Sequence, residues 1–392
     1  MFELFKLAYP TVKVGYETYR VIFNNNFNIG FGFPRKDTCL ACDEFFVNIK
    51  HNDQELLNAV DEDIIKLKKI KKDLETEHEL HTRKAASFYS RKSDAKNRAK
   101  ISDTFEAIAF DFQKNLPLLN KSTNDMYYRR QLKFFSFNIH ILSSDEAFLY
   151  TYDETVGKKG ADGVCSMLYH FIINHLSDNV SELHFFCDGC AGQNKNYTVF
   201  RFLHWMVHYQ KRFRCIKVSF PIRGHSYMEC DRDMVNVNIK ADVEIPEDWH
   251  QVFKNCRKKP SPFNVVNFLN IHFLRFSDFL KQYYKCTCLI KTRPVRELVF
   301  QDIHRSLLLY CNNWNGNIEN TVLVKRRRKN QKDTALSQYN LYPTVLPINA
   351  AKYNDLQVLK RLCKPDNHSV FDNLVTTNTG TPDSESEISD TD

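Results

Sequence analysis

The sequence predicts an α/β protein whose mixed β-sheet follows the order β-β-β-α-β-α-β. Apolar side chains alternate in successive segments between residues 105 and 152, as is typical of antiparallel strands joined by turns. Two further apolar segments, 183–187 and 215–221, each follow a segment with helical periodicity. Short apolar strands separated by helices are expected to lie parallel inside a sheet that is covered on both faces.

Residues 1–100 are predicted to form an N-terminal helical region. No glycine or proline occurs between Pro34 and Pro117, and from about residue 52 to residue 100 the chain is rich in charge. Apolar residues recur there at helical spacing, namely Leu56, Leu57, Val60, Ile64, Leu67 and Leu74. We therefore expect one or two long helices.

The predicted sheet and its helices occupy residues 101–255. The expected strands are 105–112, 134–142, 147–152, 183–187 and 215–221, and the expected helices are 163–176 and 196–210. Residues 256–375 are assigned to a C-terminal mixed module that carries many aromatic residues and a basic run. Residues 376–392 have almost nothing to bury, which predicts a disordered acidic tail.

The composition favours an intracellular protein with an anionic partner. The net charge is +8, the pI is about 8.7, and residues 325–329 are all basic, which favours nucleic acid as the partner and the nucleus as the location. No stretch of 18 apolar residues suggests a membrane segment, and Glu3 and Lys6 interrupt any signal sequence. The 12 cysteines are then expected to be buried thiols or metal ligands.

Three acidic residues stand at the predicted strand ends. Asp111 lies in the first strand, Asp188 ends the fourth, and Asp231 follows the fifth. Metal-dependent phosphoryl transfer needs carboxylates from separate elements that converge on hard cations. Each acid by itself is more often a turn or helix-cap residue, so the prediction of a shared site depends on the order of all three.

This order of strands and acids resembles the ribonuclease H-like superfamily, especially transposases and integrases of the DDE type. Segments 109–113, 152–154, 187–196 and 224–233 look like those of transposon-derived proteins of an insect-type family. The resemblance covers roughly residues 35 to 255. It implies a ribonuclease H-like mixed sheet and action on DNA as a dimer or larger assembly.

By this resemblance, Asp111, Asp188 and Asp231 would be the catalytic residues and would bind Mg²⁺ or Mn²⁺. The reaction would be attack of water or a DNA 3′ hydroxyl on a phosphodiester. Asp233 is an alternative third ligand, since the last acid of many family members is a glutamate on a helix. Glu154 is a further candidate ligand, because ribonucleases H use an acid near the first helix.

Three other residues are assigned supporting roles. His225 would contact the scissile phosphate or orient a carboxylate, although an isolated loop histidine is more often merely exposed. Gln193 and Asn194 follow a glycine-containing loop in which backbone and amide donors would position a DNA phosphate. The alternative for that loop is an ordinary strand-to-helix turn.

Four residues predict a structural zinc site. Cys39 and Cys42 have the two-residue gap of a zinc-binding turn, and His78 and His81 lie on one helix face. A long helical arm must bring the histidines back to the cysteines. The alternative is a reduced Cys-X-X-Cys beside surface histidines. Cys187 and Cys190 form a second such pair, for which buried thiols are the expected state.

The hypotheses for function are therefore three. The first is a transposase-like enzyme that cleaves and joins DNA strands, which the order of the three acids favours. Phosphate-loop, nucleophile-elbow and zincin motifs are missing from the sequence, so nucleotide hydrolysis and zincin chemistry lose support. The second is a domesticated or decayed, catalytically inactive protein that binds DNA or chromatin, which the short segment before the cysteine pair favours. The third is a nuclease for the RNA strand of RNA–DNA hybrids.

Overall fold

The computed structural model describes residues 2–26, 38–287, 289–314, 316–325 and 334–377. The helices within them are α1 (Phe2–Ala8), α2 (Tyr16–Asn26), α3 (Leu40–Asn58), α4 (Asp61–Ile101), α5 (Asn124–Tyr128), α6 (Ala161–Asn174), α7 (Tyr197–His208), α8 (Glu229–Val235), α9 (Pro246–Cys256), α10 (Phe276–Phe279), α11 (Ala350–Leu359) and α12 (His368–Asp372). The strands are β1 (Phe105–Phe112), β2 (Leu116–Leu118), β3 (Leu132–Ile141), β4 (Ala147–Asp153), β5 (Glu182–Phe186), β6 (Cys215–Ser219), β7 (Asn264–Asn267), β8 (Glu297–Gln301), β9 (Leu307–Cys311), β10 (Glu319–Val322), β11 (Ile348–Asn349) and β12 (Thr376–Thr377).

One mixed sheet forms the centre of the protein. Its strands lie side by side in the order β10-β9-β8-β6-β5-β1-β3-β4-β7, and β2 pairs with β3 at one end. β1, β3 and β4 pair antiparallel, whereas β5 is parallel to β1 and β6 is parallel to β5. The prediction of an α/β fold with a mixed sheet is confirmed. The short elements β2 and α5, which lie between the first two predicted strands, were not expected.

Both faces of the central strands are buried. Alternate residues of a strand point to opposite faces, so Ile108 and Phe110 pack with α6 and α7, whereas Ala107 and Ala109 face α4. The small alanine side chains allow α4 to lie close to β1, where Phe88 of that helix contacts Phe186 with ring centroids 5.7 Å apart. This double burial explains why β1 is almost continuously apolar.

The N-terminal helical region is a hairpin of α3 and α4. Asn52 donates a hydrogen bond to the carbonyl of Leu67 at 3.2 Å, and this contact joins the two helices. Leu57 and Val60, two residues of the predicted apolar stripe, are 86% and 77% exposed, because the chain turns between the helices at that point. The buried side chains of α4 all lie in its second half, which packs on the sheet.

The segment assigned to a C-terminal module completes the same sheet. β7 pairs with β4, and β8 pairs with β6 and leads to β9 and β10. The aromatic side chains of residues 268–284 enter the main core beside α6 and α7. No helix within the described ranges has the length and apolar character needed to cross a bilayer.

Candidate functional site

Asp111 and Asp188 stand side by side because they follow neighbouring parallel strands at the same offset. Ala109 of β1 is paired with Phe186 of β5, and each aspartate lies two residues further along its chain. The side-chain amide of Asn194 donates to Oδ1 of Asp188 at 2.6 Å and to Oδ1 of Asp111 at 3.4 Å. One amide group therefore joins the two carboxylates.

Asp231 approaches the same region from the first turn of α8. Its Oδ2 accepts a hydrogen bond from the backbone N–H of Met228 at 2.8 Å, which caps the helix. Gln113, just beyond β1, donates from its side chain to the carbonyl of Cys230 at 3.0 Å. This bond attaches the start of α8 to the end of β1, so the third acid is held near the first.

The charges of the three acids act on one another. Loss of hydration raises the pKa of Asp111 well above its usual value, and the charges of Asp188 and Asp231 raise it further. The backbone N–H of Phe112 donates to Asp111 at 2.7 Å and opposes this rise, as does the charge of Lys159. The site therefore disfavours a full set of ionised carboxylates unless positive charge is supplied.

The three acids are not part of the tightest group of metal-ligating side chains. Among the described residues, one group of three or more metal-ligating side chains has all its ligand atoms within 4.8 Å of one another, and it does not contain Asp111, Asp188 or Asp231. Asp111 and Asp188 are instead joined through the side-chain amide of Asn194.

Asp233 is engaged elsewhere, although it was an alternative to Asp231. Its side chain is buried, and its Oδ2 contacts Nδ1 of His140 at 2.7 Å and accepts from the Asn138 amide at 3.0 Å. Its Oδ1 accepts from the Arg257 guanidinium at 3.1 Å. Asp233 therefore neutralises a buried basic cluster, which favours Asp231 as the third acid of the site.

Glu154 is also held in a structural contact. Its carboxylate pairs with Nζ of Lys352 at 2.9 Å and accepts from the backbone N–H of Lys133 at 2.8 Å. This contact connects β3 and β4 to α11. Gln193 is half-buried in the loop before α7, and its carbonyl accepts from the side chain of Asn196, the residue that caps α7.

Lys159 is a basic residue of this region that the sequence did not reveal. It lies in the loop between β4 and α6, donates to the carbonyl of Gln113 at 2.8 Å, and places Nζ 5.0 Å from the ring centroid of Phe112. No motif surrounds it in the sequence. The pairing of β1, β3 and β4 brings this loop to the end of β1. Its charge lowers the pKa of Asp111.

A separate cluster of thiols and imidazoles lies where the helical hairpin meets the loop after β6. The ligand atoms of Cys39, Cys42, His81 and His225 all lie within 4.8 Å of one another. Sγ of Cys39 is 3.1 Å from Nε2 of His81, and Sγ of Cys42 is 3.5 Å from Nε2 of His225. The two Nε2 atoms are 3.0 Å apart, close to the roughly 3.4 Å edge of a tetrahedron with Zn–N bonds of about 2.1 Å.

The structure replaces one histidine of the predicted zinc set. The ring of His78 stacks on Phe45 with centroids 3.9 Å apart and does not join the two cysteines. His225, expected near the carboxylates, occupies the fourth position instead. The preceding Gly224 has φ of +78°, and a Cβ at that position would lie 2.5 Å from Cα of Cys39. This glycine was the clue in the sequence, because it allows the loop to approach the cysteine backbone.

The protonation of the cluster suits metal binding. Burial lowers the pKa of His81 and of His225, and the charges of neighbouring histidines lower them further. Burial and the adjacent Cys39 raise the pKa of the Cys42 thiol. Neutral imidazoles are the form that binds metal, and a divalent cation would stabilise the Cys42 thiolate, which the metal-free cluster disfavours. Two thiols and two imidazoles are the donors of structural zinc sites.

The remaining predicted features lie partly outside the described residues. Cys187 is fully buried, and it forms no disulfide with Cys190. Of the basic run at 325–329, only Lys325 is described, and its Nζ donates to the carbonyl of Lys281 at 2.5 Å. Thr376 and Thr377, the first two residues of the predicted disordered tail, form β12 and pair with β11, so the prediction was wrong for them; the rest of the tail lies beyond the described part of the chain.

Comparison with known proteins relates part of the chain to a sequence family. A family described as a domain of unknown function (DUF7869) matches residues 139–293. This range contains Asp188, His225 and Asp231 but not Asp111, Cys39 or the helical hairpin. No curated protein and no solved structure matches the chain. The similarity therefore groups part of the sheet with other sequences without assigning an activity.

Proposed function

We propose that this chain is a ribonuclease H-like protein of the transposase type that cleaves and joins DNA strands with the help of divalent cations. The observation that carries the proposal is the meeting of Asp111 and Asp188 at the ends of adjacent parallel strands, with Asp231 close enough to perturb Asp111. The order of the strands and the position of each acid along that order support the ribonuclease H-like assignment.

The carboxylates fit hard cations such as Mg²⁺ or Mn²⁺. The three acids offer only oxygen ligands, and the raised pKa of Asp111 reflects first its burial and then the negative charge of Asp188 and Asp231, which a cation would offset. Bound ions would make a water or a DNA 3′ hydroxyl more nucleophilic and would stabilise charge on the scissile phosphate. Asp111, Asp188 and Asp231 would hold these ions, and Asn194 orients two of the three carboxylates through its amide.

The partner that we propose is DNA, bound in the nucleus by a protein that acts as a homo-oligomer. The net charge of +8 supports an anionic partner. The Cys39, Cys42, His81 and His225 cluster would hold a structural zinc ion, because its donors and spacing match that metal. Zinc there would fasten the helical hairpin to the loop after β6.

The test is cleavage of supercoiled plasmid by the full chain with Mg²⁺ or Mn²⁺. Asp188→Ala should lower the rate of nicking at least about a hundredfold, since metal-ligand loss removes several kcal/mol of transition-state stabilisation. Asp178→Ala is the matched control, because that aspartate is fully exposed, and it should leave the rate unchanged. Equal nicking by the Asp188→Ala variant and the unsubstituted protein would reject the carboxylate assignment.

A second candidate function is DNA or chromatin binding without catalysis. The net charge of +8 supports an anionic partner whether or not the carboxylates hold a cation. Salt-sensitive DNA binding with no cleavage in any divalent cation would support this candidate over the first. Cleavage restricted to the RNA strand of an RNA–DNA hybrid would identify a nuclease of the third type instead.

A further inference from the structure

Helix α4 contacts both the Cys/His cluster and the segment that carries Asp231. Its His81 lies in the cluster, 3.0 Å from His225. Two turns further along, the hydroxyl of Tyr89 donates to the carbonyl of His225 at 3.0 Å. Nζ of Lys92 then pairs with Glu229 at 2.8 Å, and both side chains are largely buried. One face of α4 therefore follows the chain from the cluster to the start of α8.

The opposite side of this segment is attached to the sheet. Gln113 donates to the carbonyl of Cys230, and the side chains of Met228 and Cys230 are buried against Phe88 of α4 and the alanines of β1. The backbone N–H of Met228 binds the carboxylate of Asp231 itself. Movement of residues 225–230 would consequently move this carboxylate relative to Asp111.

Gly224 shows that the loop is shaped for contact with the hairpin. Its positive φ is unfavourable for other residues, and its Cα approaches Cys39 so closely that a Cβ would be 2.5 Å from Cα of Cys39. Without a metal, His225 is held by contacts with the Cys42 thiol and the His81 imidazole and by the hydrogen bond from Tyr89 to its carbonyl. A bound ion would replace the contacts of the His225 ring with a coordination bond.

We propose that zinc at the Cys/His cluster is a positioning element for the carboxylate site: it holds the loop after β6 on the helical hairpin and so fixes Asp231 beside Asp111. Zinc occupancy would then control the affinity of the carboxylates for Mn²⁺ or Mg²⁺. This inference rests on the carboxylate site of the proposed function. Residues that orient metal ligands from outside typically change metal affinity by about 10- to 100-fold when they are lost, and we expect a change of that size.

The experiment compares the zinc-loaded full chain with its Cys42→Ala variant. This substitution removes a zinc ligand on α3 and leaves the amino-acid sequence of the loop after β6 unchanged. Cys286→Ala, at an exposed thiol, is the matched control. Zinc content is measured by elemental analysis, Mn²⁺ affinity by electron paramagnetic resonance, and protection of residues 225–235 by hydrogen exchange. We expect one zinc per chain in the unsubstituted protein and the control. The Cys42→Ala variant should lose zinc, bind Mn²⁺ about 10- to 100-fold more weakly, and exchange faster over residues 225–235.

Loss of zinc without change in Mn²⁺ affinity or hydrogen exchange would overturn the inference, and so would a purified protein that binds no zinc. A different result would show that the proposed function fails, as distinct from the zinc inference. If the zinc-loaded chain binds no Mn²⁺, the carboxylate site is not a metal site. Unchanged hydrogen exchange in the Cys42→Ala variant would then still reject zinc as the element that holds the loop. Faster exchange in that case supports the attachment of the loop alone and overturns its role in cation binding.

Discussion

Asp231 and Asp233 are two residues apart on α8, yet their removal should lower the stability of the protein by very different amounts. Asp233→Ala would leave the buried Arg257 guanidinium without its carboxylate and would also remove the acceptor of His140 and Asn138. Removing one partner of a buried ion pair costs about 3–5 kcal/mol. We expect the free energy of unfolding to fall by that amount.

Asp231→Ala removes much less. The half-buried carboxylate caps α8 through the N–H of Met228, and loss of such a cap costs about 1 kcal/mol. Its removal also relieves repulsion with Asp111, whose pKa it raises, so part of this cost is offset. The two variants should therefore differ by about 2–4 kcal/mol in the free energy of unfolding, with Asp233→Ala the less stable.

Urea unfolding in EDTA at pH 7 measures this difference, and Mn²⁺ titration measures the other consequence. Asp231→Ala should keep most of its stability and lose Mn²⁺ affinity. The Mn²⁺ titration is performed at a urea concentration below the unfolding transitions of both variants, so that both proteins are folded. Equal stability of the two variants, or a larger loss for Asp231→Ala, would refute the assignment of Asp233 to the buried basic cluster.

Two further predictions concern Asp111 and Gly224. The raised pKa of Asp111 means that the native protein holds this proton more tightly than the unfolded chain, so stability falls as the pH rises above the usual value of 3.8. Asp111→Asn should accordingly raise the free energy of unfolding in EDTA at pH 7, with the gain shrinking toward pH 4 and no stabilisation by Mg²⁺; an unchanged pH profile would contradict this. Gly224→Ala should lower the free energy of unfolding by about 2–5 kcal/mol, because of the positive φ and the overlap with Cys39. It should also weaken Co²⁺ binding in a visible absorption titration. Gly160→Ala, where a Cβ meets no atom within 4 Å, should change neither.

The local apolar pattern determined the elements of the sheet. β1 has the predicted bounds of 105–112, and β5 lies within one residue of the predicted strand at both ends. Burial on both faces selects apolar residues without interruption, so such strands are visible in the sequence. The adjacency of Asp111 and Asp188 did not follow from this pattern: it was implied by the resemblance to ribonuclease H-like proteins, and it results from the parallel pairing of β1 with β5.

Contacts between distant segments were not visible in this way. His78 and His81 both lie on α4, and only the orientation of that helix against the sheet turns His81 toward the cysteines and His78 toward Phe45. His225 is 144 residues from His81 in the chain. Nothing in its neighbourhood except Gly224 indicates that the loop after β6 returns to the helical hairpin.

The sequence by itself thus determined the α/β class, the order of the strands and helices between residues 105 and 219 apart from β2 and α5, and the position of each acid along that order, since periodicity and burial are recorded residue by residue. Only the tertiary structure decided that Asp231 faces Asp111 while Asp233 neutralises Arg257, and that His225 joins Cys39, Cys42 and His81. The physical reason is that residues two apart on a helix point to opposite sides, and which side meets the sheet depends on packing against segments far away in the chain.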